Sequence, residues 1–337
     1  MAKLLSSRCG IQSVVPETYL LPPEQRPGEL VAPPCKTIPV IDLEGDRNEV
    51  ILEIIKASQE YGFFQLINHG VAEELMKDVL VVAKEFFDLP VEEKERFYSE
   101  DPHDQGCRLR TSIDFANEKF HFWRDSLRHL CHPLKDQIHH WPENPARYRG
   151  VFGPYSEEVR SLGLRVLDLI CEGLGLESGY FKGGLSQGQL MIANYYPSCP
   201  NPNLVLGLPK HGDPHLITLL NQGYVPGLEV WNNEQWVAAE PIPNAFVVNI
   251  NHKLQIISNG KLKSADHRVV TSTNVARTTV ASFILPSTDT LIEPAKSLIS
   301  ELSPPLYKSF TSGDFDKIYV LDVHQGKDPL ERFRIRS

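Results

Sequence analysis

The chain has 337 residues and 41% hydrophobic content, enough for one large domain or two small ones around a substantial core. A formal net charge of −9 and a pI near 5.8, with no basic cluster, argue against nucleic acid and anionic membrane surfaces as main partners. Met1 to Pro16 has no apolar core with a cleavage site behind it, and no run of about 18 apolar residues occurs, so a cytoplasmic protein without membrane contact is predicted.

Residues 1–36 contain Pro16, Pro22, Pro23, Pro27, Pro33 and Pro34, which disfavour helix and predict an extended segment lying on the domain. Pro39 to Leu43 reads as a first strand. The apolar stripe Val50, Ile51, Ile54, Ile55 and Ser58 predicts a helix from Arg47 to Tyr61, and Gly62 to Asn68 a second strand. Ala72 to Phe87 repeats the helical period, with Glu73 and Glu74 near its positive end. His69 has no spaced partner nearby and fits a structural role better than a metal ligand. Asp101 to Phe120 is polar and irregular and predicts a mobile loop. Phe115, Phe120 and Phe122 cluster near its end, where they line a pocket or pack in the core. Tyr155 to Leu176 is the longest helical pattern, with Val159, Leu162, Val166, Leu169 and Ile170 on the face that would buttress a β core. The six cysteines, Cys9, Cys35, Cys107, Cys131, Cys171 and Cys199, form no Cys-x-x-Cys pair and read as reduced thiols.

From Gln189 onward the pattern changes to short β-branched and aromatic runs. These are 189–196, 216–220, 227–231, 236–239, 245–250, 267–270 and 278–285, punctuated by Pro226-Gly227, Asn232-Asn233, Pro243-Asn244 and Asn259-Gly260. Such spacing predicts an antiparallel sandwich or barrel. Within it stands His211-Gly212-Asp213. On a strand, residues two apart share a face, so both side chains point into one cavity, and a later strand brings in His267. Two histidines and a carboxylate on one face of a metal leave three positions open, as non-haem Fe(II) oxygenases require. The triplet alone is weak: 12 His and 43 acidic residues yield about one or two such triplets by chance. Farther on, Asp314 to Val323 reads as a helix on which Phe315 and Tyr319, four apart, share a face.

Asn194-Tyr195-Tyr196-Pro197-Ser198-Cys199-Pro200, His211-x-Asp213, Ser258-Asn259-Gly260-Lys261 and His267-Arg268-Val269-Val270 together resemble the plant 2-oxoglutarate/Fe(II)-dependent dioxygenases. The likeness runs from Ile38 onward and is strongest to the hyoscyamine 6-hydroxylase type, through Phe122-Trp123-Arg124-Asp125, Cys131-His132-Pro133-Leu134 and Pro304-Pro305-Leu306-Tyr307-Lys308. The salicylate- and flavone-oxidising branch is a second relative, by Tyr98-Ser99. The resemblance implies a double-stranded β-helix (jelly roll) core with a helical N-terminal layer and a C-terminal lid helix, mainly β with α. The chain then reads as a single catalytic unit divided into 1–185, 186–290 and 291–337. It implies Fe(II), 2-oxoglutarate and O₂, with ascorbate as reductant, in a monomer acting on a small molecule. His211, Asp213 and His267 become metal ligands. Arg277 and Thr279, two apart on one strand face, take the distal carboxylate of 2-oxoglutarate, with Tyr196 and Asn194 nearby. Phe115, Phe122, His215, Phe283, Phe315 and Tyr319 become substrate contacts. The reaction implied is hydroxylation, extended to epoxidation or desaturation, of a plant metabolite such as an alkaloid, flavonoid or phenolic acid.

The chain departs from the family pattern in several places. Lys210-His211-Gly212 replaces Ala-His-Thr, which predicts a looser site or a wider entrance. Asn251-His252 replaces Gly-Asp, and Asn251 is expected to keep the turn by adopting positive φ. His252 is a rival third ligand, weaker than His267; His215 lines the cavity or enters the metal's ligand set. Asp266 attracts cations or orients His267. Two other classes compete: a ligand-binding protein or redox-neutral lyase on the same fold, and a zinc hydrolase, which lacks a glutamate base.

Overall fold

The computed structural model describes residues 3–7, 14–27, 38–101, 106–324 and 327–335. The strands of its two main sheets are β1 (Val40–Asp42), β2 (Phe63–Ile67), β3 (Arg108–Thr111), β4 (Asp125–Leu130), β5 (Gly188–Tyr196), β6 (Leu208–His211), β7 (Ile217–Asn221), β8 (Leu228–Asn232), β9 (Gln235–Ala238), β10 (Phe246–Ile250), β11 (His267–Val269) and β12 (Arg277–Leu285). A larger sheet runs β1-β2-β10-β7-β12-β5-β4-β3 and a smaller one β6-β11-β8-β9, the two-sheet jelly roll expected from the strand spacing. Left-handed backbone at Asn233, Asn244 and Asn259 makes the turns where Asn-containing pairs punctuate the sequence.

The longer helices are α1 (Arg47–Glu60), α2 (Glu73–Asp88), α3 (Tyr148–Gly173), α4 (His252–Ile257) and α5 (Ser312–His324). Asp46 caps α1 by accepting from the Asn48 and Glu49 N–H groups, which fixes where that helix begins. The apolar faces of α1, α2 and α3 pack on one another and on the larger sheet. Strand alternation decides which side they cover: Leu219, Val280, Ile284 and Val248 face the helices and are fully buried. At Gly163, an added Cβ would stand 2.9 Å from Ile284, so only glycine lets α3 approach the sheet this closely. The opposite parity, Thr218, Asn249, Asn194, Thr279, Ala281 and Phe283, faces the smaller sheet.

Three elements differ from the sequence reading. The segment read as a mobile loop contains β3, whose Arg108–Thr111 pairs with β4; residues 102–105 of it lie outside the described set. Mixed polar residues hid both strands, because each lies towards the polar edge of the larger sheet. The long helix begins at Tyr148 rather than Tyr155, with Pro154 accommodated inside it. The described parts of the N-terminal segment do lie on the domain, in short 3₁₀ turns: Asp125 accepts from the Leu5 and Ser6 N–H groups, and Tyr19 packs edge-on against His121 and Trp123. Cys107, Cys131, Cys171 and Cys199 form no disulfide, and Cys9 and Cys35 lie outside the described residues. No helix among the described residues is long and apolar enough to cross a membrane.

Candidate metal centre and co-substrate pocket

β6 and β11 are antiparallel neighbours, and His211 stands directly opposite His267, with ring centroids 4.1 Å apart. Asp213 lies past the end of β6 rather than on it, so a turn, not strand alternation, brings its carboxylate beside the rings. Asp213 Oδ1 is 3.6 Å from His211 Nε2 and 3.9 Å from His267 Nε2. Among the described residues these three form the one group of His, Cys, Asp or Glu whose ligand atoms converge, all within 4.8 Å.

Every other polar atom of the triad is engaged. His211 Nδ1 donates to the Pro209 carbonyl at 2.8 Å, and His267 Nδ1 faces the Ala265 carbonyl at 3.4 Å, which leaves both Nε2 lone pairs inward. Asp213 Oδ2 accepts from Thr218 Oγ1 at 2.7 Å and Asn249 Nδ2 at 2.9 Å, which leaves Oδ1. Asn251 completes the network, its side chain bonded to Thr218 and Asn249. Burial, and then the neighbouring His267, lowers the His211 pKa to about 4. Burial opposes ionisation of Asp213, but His267, His211, Asn249 and Thr218 together hold its pKa at about 2. Neutral imidazoles beside an ionised carboxylate are the state that binds a divalent metal. Two free Nε2 atoms and one free Oδ1 fit iron(II) and leave further positions open.

Arg277 opens β12 opposite Tyr196, and its guanidinium lies 5.5 Å from the Tyr196 ring centre. Its Nε donates to the Val225 carbonyl at 3.0 Å, while Nη2 is buried without a partner. A buried guanidinium nitrogen left open is a place for an anion, and a carboxylate of 2-oxoglutarate fits it. Thr279 faces Asn194 across the same ladder, and Asn194 Nδ2 donates to Thr279 Oγ1 at 3.3 Å. The four predicted co-substrate residues therefore share one pair of strands.

The predicted substrate contacts divide. His215 and Phe283 meet edge to face at 5.5 Å, both half-buried, and burial lowers the His215 pKa to about 4. Phe122 is half-buried, its N–H held by the Ser112 hydroxyl. Phe115 instead stacks on His121 at 3.8 Å with Lys3 over its ring, which commits it to the N-terminal segment. Phe315 has no exposed surface and is enclosed by Phe310, Phe333 and His252, so it packs rather than faces a ligand. Tyr319, one turn along α5, donates its hydroxyl to the Gly212 carbonyl at 2.8 Å. The two aromatics thus make different predictions. Phe315→Ala is expected to cost about 3–5 kcal/mol of stability by leaving a cavity. Tyr319→Phe, which keeps the ring, is expected to lower product formed per succinate with little change in Tm. Both products and Tm measured for the two variants decide this, and an unchanged ratio for Tyr319→Phe would reduce that contact to packing.

Two departures in the sequence have their physical account here. Asn251 has φ of −106°, not positive φ: it takes extended backbone before α4 and spends its side chain on the carboxylate network. Gly212 does not loosen the site, because the His252 ring fills the space a side chain would take. His252 is therefore not a third ligand but a neighbour of the carboxylate turn, its N–H donating to the Asp213 carbonyl at 2.9 Å. Asp266 pairs with Lys210 at 3.0 Å at the rim. His69 is structural, bonded to the Asn244 carbonyl and accepting from the Val71 N–H. Beside His267, the buried pair Arg268–Glu229 at 2.6 Å, with Trp236 over the guanidinium, ties β11 to β8.

Sequence reading missed Thr218, Asn249 and Arg124. The first two carried a signal: each interrupts an apolar run, Thr218 in Leu216 to Leu220 and Asn249 in Ala245 to Ile250. Arg124 stood in a quoted motif, but without β4 nothing aimed it inward; its Nη1 donates to Asn194 Oδ1 at 3.1 Å.

A jelly roll with two histidines and a carboxylate converging between its sheets has the architecture of a mononuclear non-haem iron oxygenase. The chain belongs to the 2OG-Fe(II) oxygenase superfamily, whose family model matches residues 187–286, while residues 38–145 match the non-haem dioxygenase in morphine synthesis N-terminal model. It is 45% identical to hyoscyamine 6-dioxygenase of Hyoscyamus niger, covering 95% of this chain and 96% of that one. It is 43% identical to flavanone 3-dioxygenase 2 of Oryza sativa subsp. japonica, over 98% and 97% of the two chains. Among solved structures it resembles JOX2 in complex with 2OG, Fe and JA, with a TM-score of 0.87, 33% identity and coverage of 96% and 95%. The protein is a 2-oxoglutarate/Fe(II)-dependent dioxygenase.

Proposed function

We propose that this dioxygenase hydroxylates a small plant specialised metabolite, with His211, Asp213 and His267 holding the iron and Arg277, Thr279, Tyr196 and Asn194 holding 2-oxoglutarate. The observation that carries the reading is the pattern of free atoms: Nε2 of both histidines, Oδ1 of Asp213 and Nη2 of Arg277 have no hydrogen-bond partner, while the remaining polar atoms of the triad are engaged. Iron bound there supplies the coupling of 2-oxoglutarate decarboxylation, to succinate and CO₂, with O₂-dependent oxidation of a substrate C–H bond. The chain's own part is orientation. Thr218 and Asn249 fix one carboxylate oxygen so that the other faces inward, and the Pro209 and Ala265 carbonyls fix the imidazole tautomers. His215 and Phe283 form one wall of the substrate cavity. Alkaloids are the first substrate class by likeness to hyoscyamine 6-dioxygenase, and flavonoids and phenolic acids the others.

Anaerobic 2-oxoglutarate binding, then succinate release in air with plant metabolite extracts, iron and ascorbate, tests the reading. A mass gain of 16 marks hydroxylation or epoxidation, and a loss of 2 marks desaturation. Binding without succinate release would favour a ligand-binding protein. Arg277→Lys is expected to raise the 2-oxoglutarate requirement at least about tenfold, because a point charge cannot reproduce two parallel N–H bonds. An unchanged apparent affinity would put the carboxylate elsewhere.

A further inference from the structure

Resting on that reading, we propose that Arg124 recognises a carboxylate on the substrate, so that the substrate is a small organic acid with an apolar body. Arg124 stands one residue before β4, on the parity of Ser126, which faces Asn194 across the β4–β5 ladder. Carried one residue further, that register sets Arg124 level with Tyr196, which pairs with Arg277 on its other side. Nη1 of Arg124 donates to Asn194 Oδ1 and Nη2 to the Ser112 carbonyl at 3.4 Å, while Nε is buried without a partner.

The surrounding acids are committed to other groups. Asp125 accepts from Leu5 and Ser6, and Glu118 from Asp114 and His121. Asp266 pairs with Lys210, Asp316 with Lys253 and Glu229 with Arg268. Arg108 and Arg128, farther along β3 and β4, have partners of their own.

The charges that meet in the cavity then do not cancel. Arg110, opposite Ser126 and beside Arg124, is offset by Asp114, so that Arg124 and Arg277 contribute two positive charges and Asp213 one negative. An iron(II) ion and a 2-oxoglutarate dianion neutralise each other and leave that surplus in place. Arg124 is half-buried with its Nε fully buried, so leaving that N–H unpaired is costly, and a substrate carboxylate removes the surplus while accepting from it. Phe283, edge-on to His215, with Ile192 and Ala281 of the same sheet face, supplies the apolar wall for the rest of the molecule.

The test is equilibrium binding to the protein loaded with Fe(II) and 2-oxoglutarate under anaerobic conditions, where no turnover occurs. Cinnamate and 2-naphthoate are titrated calorimetrically against their methyl esters. The acids are expected to bind at least about tenfold more tightly than the esters, as loss of a charge-assisted hydrogen bond implies. Arg124→Gln is expected to erase that preference and Arg124→Lys to restore part of it, with 2-oxoglutarate binding retained in both. Equal binding of acids and esters to the unaltered protein would overturn the proposal. So would loss of 2-oxoglutarate binding in Arg124→Gln, which would make Arg124 a co-substrate anchor. If the unaltered protein fails to bind 2-oxoglutarate at all, the oxygenase reading itself falls and the inference with it.

Discussion

Asp213→Ala is expected to abolish succinate formation and to weaken iron(II) binding by more than about 100-fold, beyond the 10–100-fold typical of groups that only support a ligand. It removes the one anionic donor of the triad, and the two neutral imidazoles left behind hold a divalent ion poorly. Asp213→Asn is the sharper test, because it preserves shape. Thr218 Oγ1 and Asn249 Nδ2 both donate to Oδ2, so an amide at this position must turn its oxygen towards them. Its NH₂ group then faces the two histidines, where a metal needs a lone pair. Asp213→Asn is therefore expected to be no better than Asp213→Ala. Iron affinity measured by chelator competition, together with succinate release, checks both; substantial iron binding by Asp213→Asn would show that Thr218 and Asn249 do not dictate the orientation.

Much of the fold was legible because its strands carry their own punctuation. The runs after Gln189 are bounded by Asn and Pro-Gly turns, and the helices of the N-terminal layer show plain apolar stripes. His211, Asp213, His267 and Arg277 were legible by motif; the structure brings the first three together from β6, the turn behind it and β11, and sets Arg277 beside Tyr196 at the start of β12. What escaped depends on contacts between residues distant in sequence. β3 and β4 carry arginines and histidines that no alternation rule assigns to a buried sheet, so Arg124 had no direction. Phe315 and Tyr319 share a helix face, yet one is enclosed and the other reaches the metal-site turn, because the neighbouring Phe310 and Phe333 close over only the first. Thr218, Asn249 and Asn251 act together on a single carboxylate oxygen, which no one of them announces alone.

The departures at Gly212 and His252 were read as separate changes, and the structure makes them one. A Cβ built on Gly212 would lie 2.5 Å from His252 Nε2, closer than atoms can stand, and a tight 3.1 Å from its Cε1. The ring cannot easily yield: it is buried, edge-on to Phe315 and Tyr319 at 6.0 Å each, and its backbone N–H is tied to the Asp213 carbonyl. Gly212→Thr is therefore expected to push the turn that carries Asp213 and to weaken iron binding about 10–100-fold, the scale seen when support of a ligand is lost. His252→Gly alone leaves a hole beside that turn and should cost stability more than iron affinity. The double variant, Gly212→Thr with His252→Gly, gives the new side chain the vacated space and is expected to bind iron better than Gly212→Thr alone. Chelator competition on all four proteins measures the coupling, expected at about 1–3 kcal/mol in favour of the pair. Additive losses would mean that the ring merely lies near Gly212 and that the two positions are independent.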